Sequence, residues 1–165
     1  MKSFLKQIDF DFIEIKNLNF SENLLIWAMR IWLYSFDKKV NPNSRIKIGL
    51  SKFNLDPISE SLDKIMKLII INNSMQFHKF PSCYHYLSQT EYYLLSILSN
   101  IQNRNDTIGK KKLSKLLAKS DIYDGFRECI NISSQLENNN FILPIRSDEL
   151  FYNTPSHNNK PHTLH

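Results

Sequence analysis

Between Asp56-Pro57 and Asn72-Asn73-Ser74, the residues Ile58, Leu62, Ile65, Met66, Ile69 and Ile70 return every three or four positions. That period is one face of an α-helix, and an acidic residue followed by proline starts helices because proline's fixed φ suits the first turn. The same grammar recurs along the chain. Ser88-Gln89-Thr90-Glu91 is a capping box, with Leu87 and Tyr92 at the staple positions and Leu94, Leu95, Leu98 and Ile101 as the inward stripe. Asn19 or Ser21 can cap a run through Leu24, Leu25, Ala28, Ile31, Trp32 and Ser35, and Trp27, Met29 and Leu33 make that run apolar nearly all round. A helix of that kind is expected at the centre of a fold.

Shorter helices follow from weaker signals. Asn41-Pro42-Asn43 is a turn, after which Ser44 to Asn54 reads two ways, with Ile46, Ile48 and Leu50 alternating as in a strand and Ile46, Leu50 and Phe53 fitting the short helix that is favoured. Thr107 can cap a segment that turns Leu113, Leu116 and Leu117 inward. Asp121 can cap the last helix, with Ile122, Phe126, Cys129, Ile130, Ser133 and Leu136 on one stripe, broken by Asn138-Asn139-Asn140. The expected fold is all-α, an orthogonal bundle of about six helices, with Phe141-Ile142-Leu143 as a short extended segment packing back. Its expected core is Trp27, Trp32, Leu62, Ile65, Ile69, Leu94, Leu98, Leu117, Phe126, Ile130 and Leu136. Residues Phe4 to Ile15 fit helix and strand equally, since Phe4, Leu5, Ile8, Phe12 and Ile15 share a helical face while Ile8, Phe10 and Phe12 alternate.

One domain, residues 1–143, is expected from 165 residues of which 42% are hydrophobic. Residues 144–165 read as a polar tail with the composition of a disordered end. The apolar run Leu24 to Phe36 is interrupted by Arg30 and is shorter than the roughly 20 residues that span a bilayer. Asp9, Asp11 and Glu14 stand where an export signal needs an uncharged core. A cytoplasmic protein without membrane association is expected.

The net charge of +5 is uneven: +4 over residues 21–53, +5 over 104–119 and −3 over 120–143. Lys110, Lys111, Lys112, Lys115 and Lys119 are candidates for phosphate binding, because Lys111, Lys115 and Lys119 would line one side of a helix opposite Leu113, Leu116 and Leu117. Weak binding of nucleic acid without sequence preference would follow. The same pattern is also that of a solvated helix face. Tyr84, Tyr86, Tyr92 and Tyr93 gather around one helix start and are candidates for a protein interface, where tyrosine is enriched, or for a cap on the core.

Catalytic and metal-binding patterns are sparse. Gly49, Gly109 and Gly125 are isolated, so no phosphate-cradling loop is spelled out. His78, Cys83 and His85 share a loop, yet a structural zinc site needs four ligands. His157, His162 and His165 lie in the tail. Asp121, Asp124 and Glu128 could share a helical face, but without a second carboxylate–histidine helix they read as a first turn complementing the helix dipole. Cys83 and Cys129 are expected to stay reduced. No catalytic residue, metal ligand or cofactor is assigned.

Two resemblances accompany these patterns. Residues from about Leu62 to Leu143 resemble an uncharacterised group of small alphaproteobacterial helical proteins. The shared features are a tryptophan-bearing helix like that around Trp27 and Trp32, an aliphatic helix like Leu62 to Ile71, and a cysteine-proline loop running into Leu87-Ser88-Gln89-Thr90-Glu91. That group tends to carry two cysteines in the loop, whereas here Cys83 stands alone and Phe80 takes the other place. The resemblance implies no activity. Residues 88–146, three helices ending in Leu136-Glu137-Asn138-Asn139-Asn140-Phe141-Ile142, are similar to winged-helix transcription regulators. The helix that would enter the major groove carries Asp121, Asp124, Glu128 and Glu137 against Arg127 alone, which repels phosphate. The leading expectation is therefore a non-enzymatic helical protein acting through macromolecular contacts, most simply with a protein. The alternative is a DNA-binding regulator of winged-helix type.

Overall fold

The computed structural model describes residues 13–72 and 84–146. Among them are six α-helices: α1 (Phe20–Asp37), α2 (Asn43–Ser51), α3 (Ile58–Asn72), α4 (Gln89–Gln102), α5 (Asp106–Leu113) and α6 (Ile122–Asn138). Short 3-10 turns at Ile15–Asn17 and Lys119–Asp121 complete the regular structure. The all-α bundle read from the sequence is the fold found. The stretch Phe4 to Ile15, which fits helix and strand equally, lies mostly outside the described residues. Within them, Glu14 makes a single antiparallel bridge to Tyr86 before the chain turns.

Capping boxes start α1 and α4. In α1 the Asn19 side chain accepts from the Glu22 amide at 2.9 Å, and Glu22 accepts from the Asn19 amide at 2.8 Å. In α4 Ser88 and Glu91 do the same at 3.2 and 2.7 Å. Each box satisfies two helix-end donors that would otherwise be orphaned, worth about 1 kcal/mol apiece. Helix ends in this fold close without glycine, as at Asn54 after α2, φ 58°, where the Leu55 amide donates to Leu50. Lys39, Arg104 and Asn140 take left-handed φ values of 56°, 65° and 61° just beyond α1, α4 and α6. The next amides, of Val40, Asn105 and Phe141, reach back to Ser35, Asn100 and Leu136 in the closing turn that usually employs glycine.

The core unites all six helices: Leu25, Met29 and Trp32 of α1, Ile46 and Leu50 of α2, Leu62, Ile65 and Ile69 of α3, Leu94 and Leu98 of α4, and Cys129, Ile132 and Leu136 of α6, with Leu113 from α5. Gly125 lets α6 approach, since a side-chain carbon there would fall on Leu117 and crowd Ile65. Beyond α6 the chain packs back as expected. Leu143 is buried, its amide donates to Gln102 at 2.7 Å, and Gln102 donates to the Phe141 carbonyl at 2.9 Å. Three residues further on, the Arg146 guanidinium pairs with the buried Glu22 at 2.6 Å.

Four local expectations need correction. Trp27 and Ile130 are each 38% exposed instead of buried. On α6, Ile132 takes the inward place, three residues after Cys129 and four before Leu136. Thr107 lies inside α5, whose N-cap is Asn105. Asp121 holds the N-cap position of α6, but its carboxylate accepts from Asn72 Nδ2 at 2.8 Å and makes no cap bond.

Candidate functional site

The inner side of α1 is fixed by polar anchors as well as packing. Trp32 donates its indole N–H to Asp63 at 2.8 Å, and Lys67 donates to the other oxygen of Asp63 at 2.7 Å. Arg30, an interruption in an apolar run, is 5% exposed and pairs with Glu91 through two nitrogens, at 2.7 and 3.1 Å. Its guanidinium also donates to the carbonyls of Tyr84 and Tyr86 at 2.6 and 2.8 Å. One arginine thus fastens α1, the start of α4 and the chain before it. Bidentate pairing with further acceptors is the arrangement that repays the desolvation of a buried ion pair.

These anchors determine which side of α1 faces outward. Phe20 (57% exposed), Trp27 (38%) and Tyr34 (53%) stand seven residues apart, with half-buried Leu24 and Ile31 between them. The alternating four and three spacing is that of a helix–helix seam. Trp27 lies across α2 where Gly49 has no side chain; a carbon there would fall on the indole ring. Phe20 meets Phe53 edge-on at 5.3 Å and Phe141 at 6.1 Å. Ile142, 56% exposed, adjoins this end, its carbonyl accepting from Asn19 at 3.0 Å. The surface is an apolar strip held in place by the bundle beneath it.

The lysine candidates do not share a helix face. α5 ends at Leu113, so Lys111, Lys115 and Lys119 fall on a helix, a turn and a 3-10 turn respectively. The lysine stripe expected from spacing is therefore absent. Leu113, Leu116 and Leu117 are all buried across this turn. Lys112 is buried and donates to Ser96 Oγ at 2.6 Å. Lys110 sits 4.6 Å over the Phe126 ring and Lys115 5.5 Å over Tyr93, cation–π placements that hold the ammonium near the body.

The tyrosine candidates divide similarly. Tyr92 is buried, Tyr93 and Tyr84 are half-buried, and Tyr86 is 37% exposed. Tyr84 and Tyr86 meet edge-on at 5.8 Å, and Tyr92 and Tyr93 at 6.2 Å. They line a joint between elements more than they present one face.

Of the loop ligands, His85 is exposed, while His78 and Cys83 lie outside the described residues, as do His157, His162 and His165. Glu128 is buried, near Lys64 and Arg127 at 3.7 Å each, and Asp124 pairs with Arg127 at 3.4 Å. Among the described residues no three histidine, cysteine or acidic side chains gather as a metal site. Burial pushes the Cys129 thiol up to about 12, far from thiolate chemistry at neutral pH. An open groove of about 600 Å³ lies beside Trp32, Phe36, Val40, Pro42, Asp63 and Lys67. Its buried carboxylate, Asp63, already accepts from the indole and Lys67. No described helix is long and apolar enough to cross a membrane.

Sequence reasoning passed over the outer face of α1 because apolar residues on every side of a helix suggest burial. The signal was present as the seven-residue recurrence of Phe20, Trp27 and Tyr34. No protein-family model, curated protein or solved structure matches this chain.

Proposed function

We propose that this is a cytoplasmic, non-enzymatic protein that works by binding another protein through the outer face of α1. The observation carrying this reading is the exposure of Phe20, Trp27 and Tyr34 at heptad spacing on a helix whose other side buries Leu25, Met29 and Trp32. Large aromatic side chains left on one strip cost free energy in water, and such strips mark interaction sites. Aromatic anchors also dominate binding energy in protein interfaces. The test is capture by immobilised full-length protein, comparing wild type with Tyr34→Glu. One stoichiometric protein retained by the first and lost by the second supports the reading; equal recovery by both contradicts it.

The DNA-binding alternative gains one observation. Glu128 is buried beside Lys64, and Glu137 pairs with Arg104 at 3.0 Å, so the exposed side of α6 shows Tyr123, Asp124, Arg127, Ile130, Asn131 and Ser134, with less acid than the sequence suggested. Against it, residues 114–121 between α5 and α6 are longer than the three or four of a helix-turn-helix, and residues 141–146 form no strand. A selected-sequence assay enriching one motif, with enrichment lost in Arg127→Ala, would favour this alternative.

A further inference from the structure

Resting on the protein-contact reading, we infer that the partner on the outer face of α1 is a second copy of this chain, paired about a two-fold axis near Trp27. The strip reads nearly the same in both directions. From Trp27, an aliphatic residue lies three positions before (Leu24) and four after (Ile31), and an aromatic residue lies seven before (Phe20) and seven after (Tyr34). In an antiparallel pair the two-fold sets Phe20 against Tyr34 of the partner subunit and Leu24 against Ile31 of the partner subunit. Trp27 then meets Trp27 of the partner subunit. An isologous interface requires a patch complementary to itself, and this stripe meets that condition, aromatic against aromatic and aliphatic against aliphatic.

The exposed area fits a reversible dimer. Phe20, Trp27, Tyr34 and Ile142 are 57, 38, 53 and 56% exposed. At about 200 Å² per large side chain they leave roughly 400 Å² of apolar surface on each copy. Two copies contribute about 800 Å², half of the roughly 1,600 Å² that a standard stable interface buries, with polar neighbours such as Asn23 left for the rim. Two heptads are short for an obligate seam, and the monomer has its own continuous core, so the affinity expected is on the order of micromolar. Trp27 is held against Gly49 in the free chain, so its placement costs little extra ordering on pairing.

Sedimentation velocity on the full chain, from about 1 to about 200 µM, tests the inference. The expected result is a monomer that becomes a dimer across this range, with association weakened roughly thirtyfold or more in Tyr34→Glu and Phe20→Ser. Tyr123→Glu, on the exposed side of α6, should dimerise as wild type. Helical signal and unfolding midpoint are recorded for each variant, so loss of dimer in a folded variant is attributable to the face. A monomer at every concentration overturns the inference, as does a dimer indifferent to Tyr34→Glu and Phe20→Ser. If the chain is monomeric yet the capture experiment yields a different protein lost in Tyr34→Glu, self-pairing fails and the protein-contact reading stands. If capture also yields nothing dependent on Tyr34, both fail.

Discussion

Lys112 turns inward and Lys110 and Lys115 lie over aromatic rings, whereas along the outer face of α1 aromatic side chains turn toward solvent. Residue type would have ordered them the other way. The difference shows that placement is decided by what neighbouring elements demand. Lys112 is drawn in by Ser96 and by the packing of α5 on α4, while Trp27 is turned out because Leu25, Met29 and Trp32 already fill the inner side of α1. The contrast predicts that buried polar pairs carry stability, and that the exposed aromatics carry binding.

The largest expected effect is at the most buried pair. Arg30→Met leaves Glu91 as an unpaired buried charge and frees the carbonyls of Tyr84 and Tyr86, so urea unfolding should show a loss of about 3–5 kcal/mol. A loss below about 1 kcal/mol would mean that water reaches Glu91 and the anchor is not buried as described.

Next comes an alkaline effect. The Cys129 thiol is raised from 9.0 to about 12 in the folded chain by burial. Above pH 9 the unfolded chain loses this proton first, so the native state binds more protons and stability falls as pH rises toward 12, at about 1.4 kcal/mol per unit at most. Below pH 9 the group contributes no slope. Cys129→Ala should flatten that decline; an unchanged slope would place its origin in other groups.

A smaller effect sharpens the lysine side of the contrast. Lys112→Met removes the donor to Ser96 and should cost about 1–2 kcal/mol, whereas Lys111→Glu on the exposed side should change stability by less than about 0.5 kcal/mol. Equal effects would erase the distinction between them. Ser88→Ala should cost about 1 kcal/mol by removing the acceptor for the Glu91 amide. An unchanged unfolding midpoint in that variant would mean that α4 begins elsewhere.

The parts of the fold legible in the sequence are those set by local chemistry. The capping box at Ser88 and Glu91, the cap at Asn19, the stripe Leu62–Ile65–Ile69 and the stop at Asn140 are each decided within one or two helical turns. What escaped is decided between distant elements. The end of α5 at Leu113 has no sign in the spacing, because Leu113, Leu116 and Leu117 equally fit one face of a continuing helix. The choice between Ile130 and Ile132 depends on where α3 and α4 lie around α6. Arg30 and Glu91 are 61 residues apart, and the local sign of their pairing was a charge inside an apolar run. The candidate face was hidden by the same ambiguity, since Trp27 and Trp32 sit on one apolar helix and only the surrounding bundle distinguishes them.

Hydroxyl-radical footprinting at low and high protein concentration, read by mass spectrometry residue by residue, tests the role of the α1 face most directly. Phe20, Trp27 and Tyr34 should be modified in dilute protein and protected when concentrated, while Tyr123, 78% exposed on α6, stays modified throughout as an internal control. Unchanged modification of Trp27 and Tyr34 across the range, or protection at Tyr123 in their place, would contradict the account.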